Sequence, residues 1–436
     1  MVFFENVWWL LVMIGVMILI HELGHFWAAR FFDVKVEAFS FGFGPRLFGF
    51  KRGETDFRFS AILFGGYVKM AGEQPGDENA NDPRGFLAKP RWQRLIIVFA
   101  GPAMNVVLAI GLLTGLYMVN YPKIPNADGP AIVAHVNPDS PASKAGIVEG
   151  DRIVSIDGVR DPKWEDVLLK EIASARRELP VVLDRGCHPV VTSVTPVLDE
   201  KNGVGYAGWY GQIEIQVERL VVGMDAARAG LQPGDVLVSA NGQPIHNIQK
   251  LHEVIRAGGG KPVDVLYSRG GQRNRVSINP SYSKDDDRWM IGVQLSPRVI
   301  ITKLAFGDAF RESVRQNLKS GTLIYQFLVG IVERRMSPKS LEGPIGIARI
   351  SGEAAREGPI AFIGLMSMVS LNLAIFNLLP IPILDGGVIL LLLVEMLMRR
   401  DLSMNVKEAV FKVGFVFLMA VVVFVIYNDI SKILPG

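Results

Sequence analysis

Four stretches of this chain, residues 7–29, 95–119, 360–384 and 413–427, are apolar enough to be read as membrane-crossing segments, against a need for roughly 20 apolar residues to cross a bilayer. The second and third each run 25 residues without a charge. The fourth has 15 uncharged residues, extended by residues 409–411 and by Lys412, whose aliphatic stem can reach out to the membrane surface. Lipid offers backbone N–H and C=O groups no partners, so such runs must fold as helices. The first is not read as a cleavable signal, because no basic segment precedes it and it contains histidines. Composition agrees: 49% of residues are hydrophobic and the mean hydropathy is +0.28. A net charge of +3 without any Lys/Arg block gives no basis for nucleic acid binding. The single cysteine, Cys187, excludes an intramolecular disulfide.

The first span contains His21-Glu22-Leu23-Gly24-His25. Ionisable residues inside a membrane segment are expensive and are functional candidates by default. On a helix the two histidines share one face at i and i+4 and can reach one metal, while Glu22 beside them can take a proton from an activated water. Asp385, in Leu384-Asp385-Gly386-Gly387, interrupts a second apolar region, since residues 388–394 are apolar again. Two histidines and an aspartate supply three protein ligands and leave one position open, the arrangement of catalytic zinc sites. Upstream, Pro380 and Pro382 must interrupt the helical ladder. The freed carbonyls and the Asn377 amide are candidates to hold an extended peptide. Gly101-Pro102-Ala103-Met104-Asn105 on the second span reads as a close helix-packing site, where small residues permit near approach.

Charge places these groups in depth. Residues 30–94 hold 11 Lys/Arg and residues 1–6 hold none, while Arg399, Arg400, Lys407 and Lys412 lie between the last two spans. The positive-inside rule puts both connections in the cytoplasm, and both termini and residues 120–359 outside. His21, His25 and Asp385 then all come late in inward-running segments, toward the cytoplasmic leaflet.

Residues 120–300 are charged and rich in Gly, Pro and Asp, and they contain a duplication. Ala145-Gly146-Ile147, Gly150-Asp151, Ser155 and Gly158 recur 84 residues on as Ala229-Gly230-Leu231, Gly234-Asp235, Ser239 and Gly242. The A-G-[IL]-x-x-G-D-x-[IVL] core resembles that of PDZ domains. Helical stretches at 164–177 and 248–257 follow each copy. Residues 310–332 have helical periodicity and read as an amphipathic helix on the outer membrane surface, with a fifth span as the alternative. Residues 57–70 alternate, pass through Gly65-Gly66 and resume a β-type run, the signal of a hairpin that dips into the membrane beside the metal.

Taken in order, the H-E-x-x-H span, Gly65-Gly66-Tyr67-Val68-Lys69-Met70, the G-P-x-x-N span and Asn377-Leu378-Leu379-Pro380-Ile381-Pro382-Ile383-Leu384-Asp385-Gly386-Gly387 closely resemble the bacterial site-2 protease family of intramembrane zinc metalloproteases. The duplicated region narrows the resemblance to the sigma-E-regulating branch with tandem PDZ domains. The resemblance covers nearly the whole chain and is weakest over 301–359. It implies one Zn2+ held by His21, His25 and Asp385, Glu22 as general base and acid, and Asn377 helping to hold substrate. Phe64, Gly65, Gly66, Tyr67 and Val68 are expected to accept an unwound substrate by strand addition.

The expected fold is a multi-pass α-helical membrane protein with four transmembrane helices, a membrane-associated β-hairpin and two tandem mixed α/β PDZ-like domains. Its expected parts are a first membrane segment (1–120), two PDZ-like domains (121–215 and 216–300), a helical linker (301–359) and a second membrane segment (360–436). The expected partners are the lipid bilayer and single-pass membrane proteins such as anti-sigma factors and signal-peptide remnants. The expected place is the bacterial inner membrane, with the PDZ pair periplasmic and the active site near the cytoplasmic face. Two rivals fit less well. A PDZ adaptor with a structural zinc would usually show four protein ligands, and a metal transporter would show more intramembrane ligands and inverted repeats.

Overall fold

The computed structural model describes residues 2–73, 82–200, 202–284 and 287–433. Among these, nine helices reach ten residues or more: α1 (Val2–Phe31), α2 (Arg91–Val119), α3 (Trp164–Ala173), α4 (Ile248–Gly258), α5 (Phe306–Val332), α6 (Pro344–Glu357), α7 (Pro359–Asn377), α8 (Asp385–Met398) and α9 (Met404–Ile433). The chain divides into two compact units. One comprises residues 1–120, 303–324 and 341–436, the other residues 121–302 and 325–340.

The first unit contains four helices long and apolar enough to cross a membrane: α1, α2, α7 and residues Asn405–Lys432 of α9. Most of the apolar side chains of α9 are exposed, including Val413, Val416, Val423 and Tyr427, as expected of a helix facing lipid. One core cluster joins α1 to α6 and α7 through Leu10, Met13, Met17, Ala348, Phe362 and Met366. Gly24 lets α1 meet α2 backbone to backbone, because a Cβ there would collide with the Ala100 carbonyl. Serine hydroxyls tie α7 to α2: Ser370 Oγ donates to the Asn105 carbonyl at 2.8 Å and Ser367 Oγ to the Ala109 carbonyl at 2.9 Å. Such bonds replace the hydrophobic drive that lipid cannot supply.

Three features depart from the sequence reading. Helix α7 stops at Asn377 instead of running to residue 384, and Asp385 opens the separate helix α8. Proline at 380 and 382 removes the N–H groups a continuing helix would need. At 14 residues, α8 is about 21 Å long, short of the roughly 30 Å hydrocarbon core. Secondly, the linker contains the unanticipated α6, whose amino end is capped by Asp429 of α9. That carboxylate accepts from the N–H groups of Gly343 at 2.8 Å and of Ile345 and Gly346 at 3.0 Å each. Helix α5 is present as expected, and its early part docks on α2, where Ser313 Oγ donates to the Ile110 carbonyl at 2.9 Å.

The third departure concerns the hairpin. Strands β1 (Val36–Arg52) and β2 (Thr55–Met70) each fold into two halves, so Phe39 pairs with both Phe57 and Val68 while Gly49 pairs with Arg58. The order is 46–52, 55–60, 38–41, 66–70. The two runs flanking Gly65-Gly66 therefore do not pair with each other; residues 38–41 lie between them. The tight reversal is at Gly53, in the left-handed region at φ 62°, which glycine adopts without steric cost.

The second unit repeats itself element by element. Strands Leu179–Arg185 and His188–Val194 recur 84 residues on as Val263–Arg269 and Gln272–Ile278, and α3 recurs as α4. The Gly-Asp turns recur in chemistry too. Buried Asp151 accepts two bonds from Arg185, at 2.8 Å each, and Asp235 two from Arg269, at 2.7 Å each. Each arginine also donates to a carbonyl of the preceding turn, Gly146 or Gly230. Each copy has its own core, one around Ile153, Ile156, Leu179 and Leu183, the other around Leu237, Leu251, Val263 and Ile278.

Candidate active site

His21 and His25 lie one turn apart on α1, both buried, with their Nε2 atoms 3.2 Å from each other. Asp385 completes the set. Its Oδ2 is 3.1 Å from His21 Nε2 and its Oδ1 3.6 Å from His25 Nε2. One donor atom from each residue falls within 4.8 Å of the others. Two imidazole nitrogens and a carboxylate oxygen converging on one point are a zinc donor set with an open fourth position.

Three further observations fit a cation there. His25 Nδ1 donates to the Ile97 carbonyl at 2.9 Å, which fixes the tautomer so that the Nε2 lone pair faces the site. The Asn105 amide lies 3.2 Å from His21 Nδ1, and its buried Oδ1 has no hydrogen-bond partner among the described residues. A metal-binding Nε2 requires the proton on Nδ1, and turning the Asn105 amide over gives that proton to the orphaned oxygen. Finally, Gly101 keeps the cradle open, since a Cβ there would strike the His25 ring and come within 2.9 Å of His21 Nε2.

A second cluster among the described residues, His135, Glu149 and Glu253, is different in kind. Lys250 Nζ sits 3.0 Å from Glu253 and 3.7 Å from Glu149, so an ammonium already supplies the counter-charge. It is an ion-pair network of the second unit.

The local sequence explains how Asp385 reaches the histidines. Asp385 is the first residue of α8, where the helix dipole favours a negative charge. The connection from α7 folds back over this helix end. Cβ atoms at Gly386 and Gly387 would strike the backbone of Leu378 and Leu379 and that of Ile381 and Pro382. Within that connection Ile383 has φ 94°, costly for a β-branched residue and typical of a segment held by its surroundings at a functional site. Leu392 of α8 packs with Ala29, Ile97 and Val98 of α1 and α2, anchoring the helix that presents Asp385.

Glu22 follows His21 on α1 and lies beside Val68 of β2. Gly66 brings that strand close, with its α-carbon hydrogen directed at Ile18, the Ser40 carbonyl and Glu22; a Cβ would lie 3.1 Å from Glu22 Cγ. Tyr67 stacks on Phe43 at 6.1 Å, and a Cβ at Gly65 would strike that same Phe43 ring. Strand 66–70 is an outer strand of its sheet. The Phe64 side chain lies outside the described residues. Asn377 is the last residue of α7 and its side chain has no hydrogen-bond partner among the described residues.

The structure thus brings together His21, His25, Asp385, Glu22, Gly66 and Val68. Three participants were missed by sequence reasoning: Ile97, whose role lies in its backbone, and Gly101 and Asn105, read only as helix packing. Their i, i+4 spacing on the second span was the available signal. Replacing Asn105 by Leu should weaken zinc binding about 10–100-fold, the usual effect of removing an outer-shell partner. Competition with a fluorescent zinc chelator measures it, and unchanged affinity would reduce Asn105 to a packing residue.

The comparisons with known proteins agree with this geometry. The family model described as peptidase family M50 matches residues 9–421. A Xylella fastidiosa protein named "Putative zinc metalloprotease" is 31% identical, the alignment covering 98% of this chain and 99% of that one. The regulator of sigma-E protease of Salmonella typhimurium is 27% identical over 97% of this chain and 98% of its own. Among solved structures, the PDZ domain of the SdrC-like protein of Listeria monocytogenes is 21% identical, covering 19% of this chain and 85% of that one with a TM-score of 0.17. With a converged donor set whose two histidines lie on a membrane-length helix and a family match over nearly its whole length, the chain belongs to peptidase family M50 and is an enzyme of the site-2 protease type.

Proposed function

We propose that this enzyme hydrolyses peptide bonds inside the transmembrane segments of single-pass membrane proteins, using one zinc ion held by His21, His25 and Asp385. The supporting observation is the convergence of Asp385, at the start of the short helix α8, on two histidines of α1, a helix long and apolar enough to cross a bilayer, with Glu22 and an outer β-strand beside them. Bound there, zinc supplies Lewis-acid polarisation of the scissile carbonyl and acidifies water. Glu22 takes the proton from the attacking water and passes it to the leaving amine. His25, tied to the Ile97 carbonyl, and His21, tied to Asn105, keep their Nε2 atoms directed into the site.

A substrate helix hides its peptide bonds in its own ladder, so it must unwind before it is cut. The outer strand 66–70 offers main-chain groups to the unwound stretch by strand addition, with Asn377 assigned to the same task. The Lys/Arg distribution supports a site toward the cytoplasmic face of the membrane, here a bacterial inner membrane, with the duplicated unit on the periplasmic side. Substrates are then proteins already trimmed on the outer side, anti-sigma factors and signal-peptide remnants, and the PDZ-like pair excludes those that still carry bulky outer domains.

Two experiments test this reading. Mass spectrometry of membrane fractions from a Glu22→Gln strain should show single-pass stubs accumulating, and an unchanged stub profile would contradict it. Deleting residues 127–297 should allow cleavage of untrimmed substrates; loss of all cleavage with zinc retained would make the pair a substrate receptor instead.

A further inference from the structure

The first half of helix α9 meets the rest of its unit along one narrow line. Between residues 405 and 421 the only positions that are not exposed are Lys407, Val410, Gly414, Leu418 and Val421, at spacings of three and four. They form a single stripe on a helix whose other faces, with Val413 and Val416 exposed, suit lipid. Gly414 alone among the five is buried. It has no side chain to bury, so its burial records a backbone in close approach to a neighbour.

That neighbour is the segment leading to Asp385. A Cβ at Gly414 would strike the Pro382 carbonyl and lie 2.5 Å from Pro382 Cβ. From α8, a Cβ at Gly387 would come within 2.7 Å of Pro382 Cα. Pro382 is therefore clamped between two glycines, one on the helix that begins with Asp385 and one on α9. No N–H among the described residues donates to the Pro382 carbonyl, so packing rather than hydrogen bonding fixes it. The next residue, Ile383, is held at φ 94°, a conformation that persists only where the surroundings over-determine it. Asp385 follows two residues later.

The same stripe holds the far end of α8. Lys407 Nζ lies 2.6 Å from Oε1 of the buried Glu395, and the Leu402 N–H donates to that oxygen at 3.0 Å. Lys407 and Gly414 are seven residues apart, two turns along one helix face. Helix α9 thus grips α8 near its end and, through Pro382, just before its start.

We propose that Gly414 is a positioning residue for the metal site: by admitting the α9 backbone against Pro382, it fixes Ile383 and with it the direction in which Asp385 enters the donor set. Helix α9 is then a brace for the third ligand as well as a membrane helix. The proposal rests on reading Asp385 as a metal ligand. A methyl group at 414 can be accommodated only if α9 moves off α8 or Pro382 gives way, and either releases the clamp. Local propensity predicts the opposite sign, since Gly→Ala inside a helix is otherwise stabilising.

The test uses the full-length protein in detergent, with zinc affinity from chelator competition and the visible spectrum of the Co2+-loaded protein as a report on ligand geometry. Gly414→Ala should weaken zinc binding by about 10–100-fold, the range for a residue that orients a ligand, and should shift the Co2+ bands. Val413→Ala, on the exposed face, should match the wild type in both. Wild-type affinity and spectrum in Gly414→Ala would overturn the brace, as would weaker binding with an unchanged Co2+ spectrum. Wild-type affinity in Asp385→Asn would instead overturn the ligand reading on which the brace depends. A second measurement leaves position 414 untouched. In a Cys187→Ser background, Val410→Cys on the stripe and Val413→Cys off it are labelled with a maleimide, with and without zinc. Coupling is reciprocal, so a metal that seats Asp385 also seats α9: zinc should slow labelling of Val410→Cys several-fold and leave Val413→Cys unchanged. Labelling indifferent to zinc at both positions would overturn the brace even if Gly414→Ala does not fold.

Discussion

Glu22→Gln should lower the rate of intramembrane peptide hydrolysis by about 10²–10⁴-fold, the usual contribution of a positioned general base, while the zinc content stays at the wild-type value. The substitution keeps the size and shape of the side chain. It removes only the capacity to take a proton from water and return it to the leaving amine. None of the three donors within 4.8 Å of one another belongs to Glu22, so the metal should remain. The assay is cleavage of a single-pass substrate in proteoliposomes beside zinc quantification of the same preparation. A variant that cleaves at the wild-type rate would remove Glu22 from the chemistry, and one that loses zinc would make it a ligand.

Asp385→Asn should have the opposite signature, with zinc and hydrolysis lost together. The substitution preserves shape and replaces the one anionic donor by a neutral amide oxygen. Outer-shell changes alone cost about 10–100-fold in metal affinity, so loss of a ligand charge should exceed roughly a hundredfold. The surrounding fold should survive, because α8 is held by Leu392 in the core around Ile97 and Val98 rather than by its first residue. Chelator competition reads the affinity. Asp385→Asn protein with wild-type zinc affinity would make the carboxylate a partner of the histidines and not of the metal. Together the two variants separate base from ligand.

Much of this site was legible because the membrane makes charge informative. His21, His25 and Asp385 stand out against apolar runs, and i, i+4 spacing puts the histidines on one helix face. The duplication was legible for another reason: an 84-residue offset repeated at seven positions leaves little room for coincidence, and Arg185 and Arg269 prove to be further matched partners of the Gly-Asp turns. What stayed hidden depends on backbone geometry. Pro380 and Pro382 were visible, but the span was read on to residue 384, and the fold-back over α8 requires Gly386 and Gly387 to pack against backbone that no periodicity records. Residues 55–60 and 66–70 look like one hairpin because both alternate. Their true partner is the strand between them, a choice made by tertiary pairing. Asn105 was read as packing because its polar role needs a histidine 84 residues earlier in the chain.

The central claim is that the chemistry depends on a metal bound by His21, His25 and Asp385 within the membrane. Zinc-edge X-ray absorption of the full-length enzyme, reconstituted and cleaving a single-pass substrate, tests it most directly. The account predicts a zinc coordinated by two imidazole nitrogens and by oxygen, with no sulfur, and predicts that this spectrum disappears in His25→Ala. A spectrum unchanged by that substitution, in a protein that still cleaves, would contradict it.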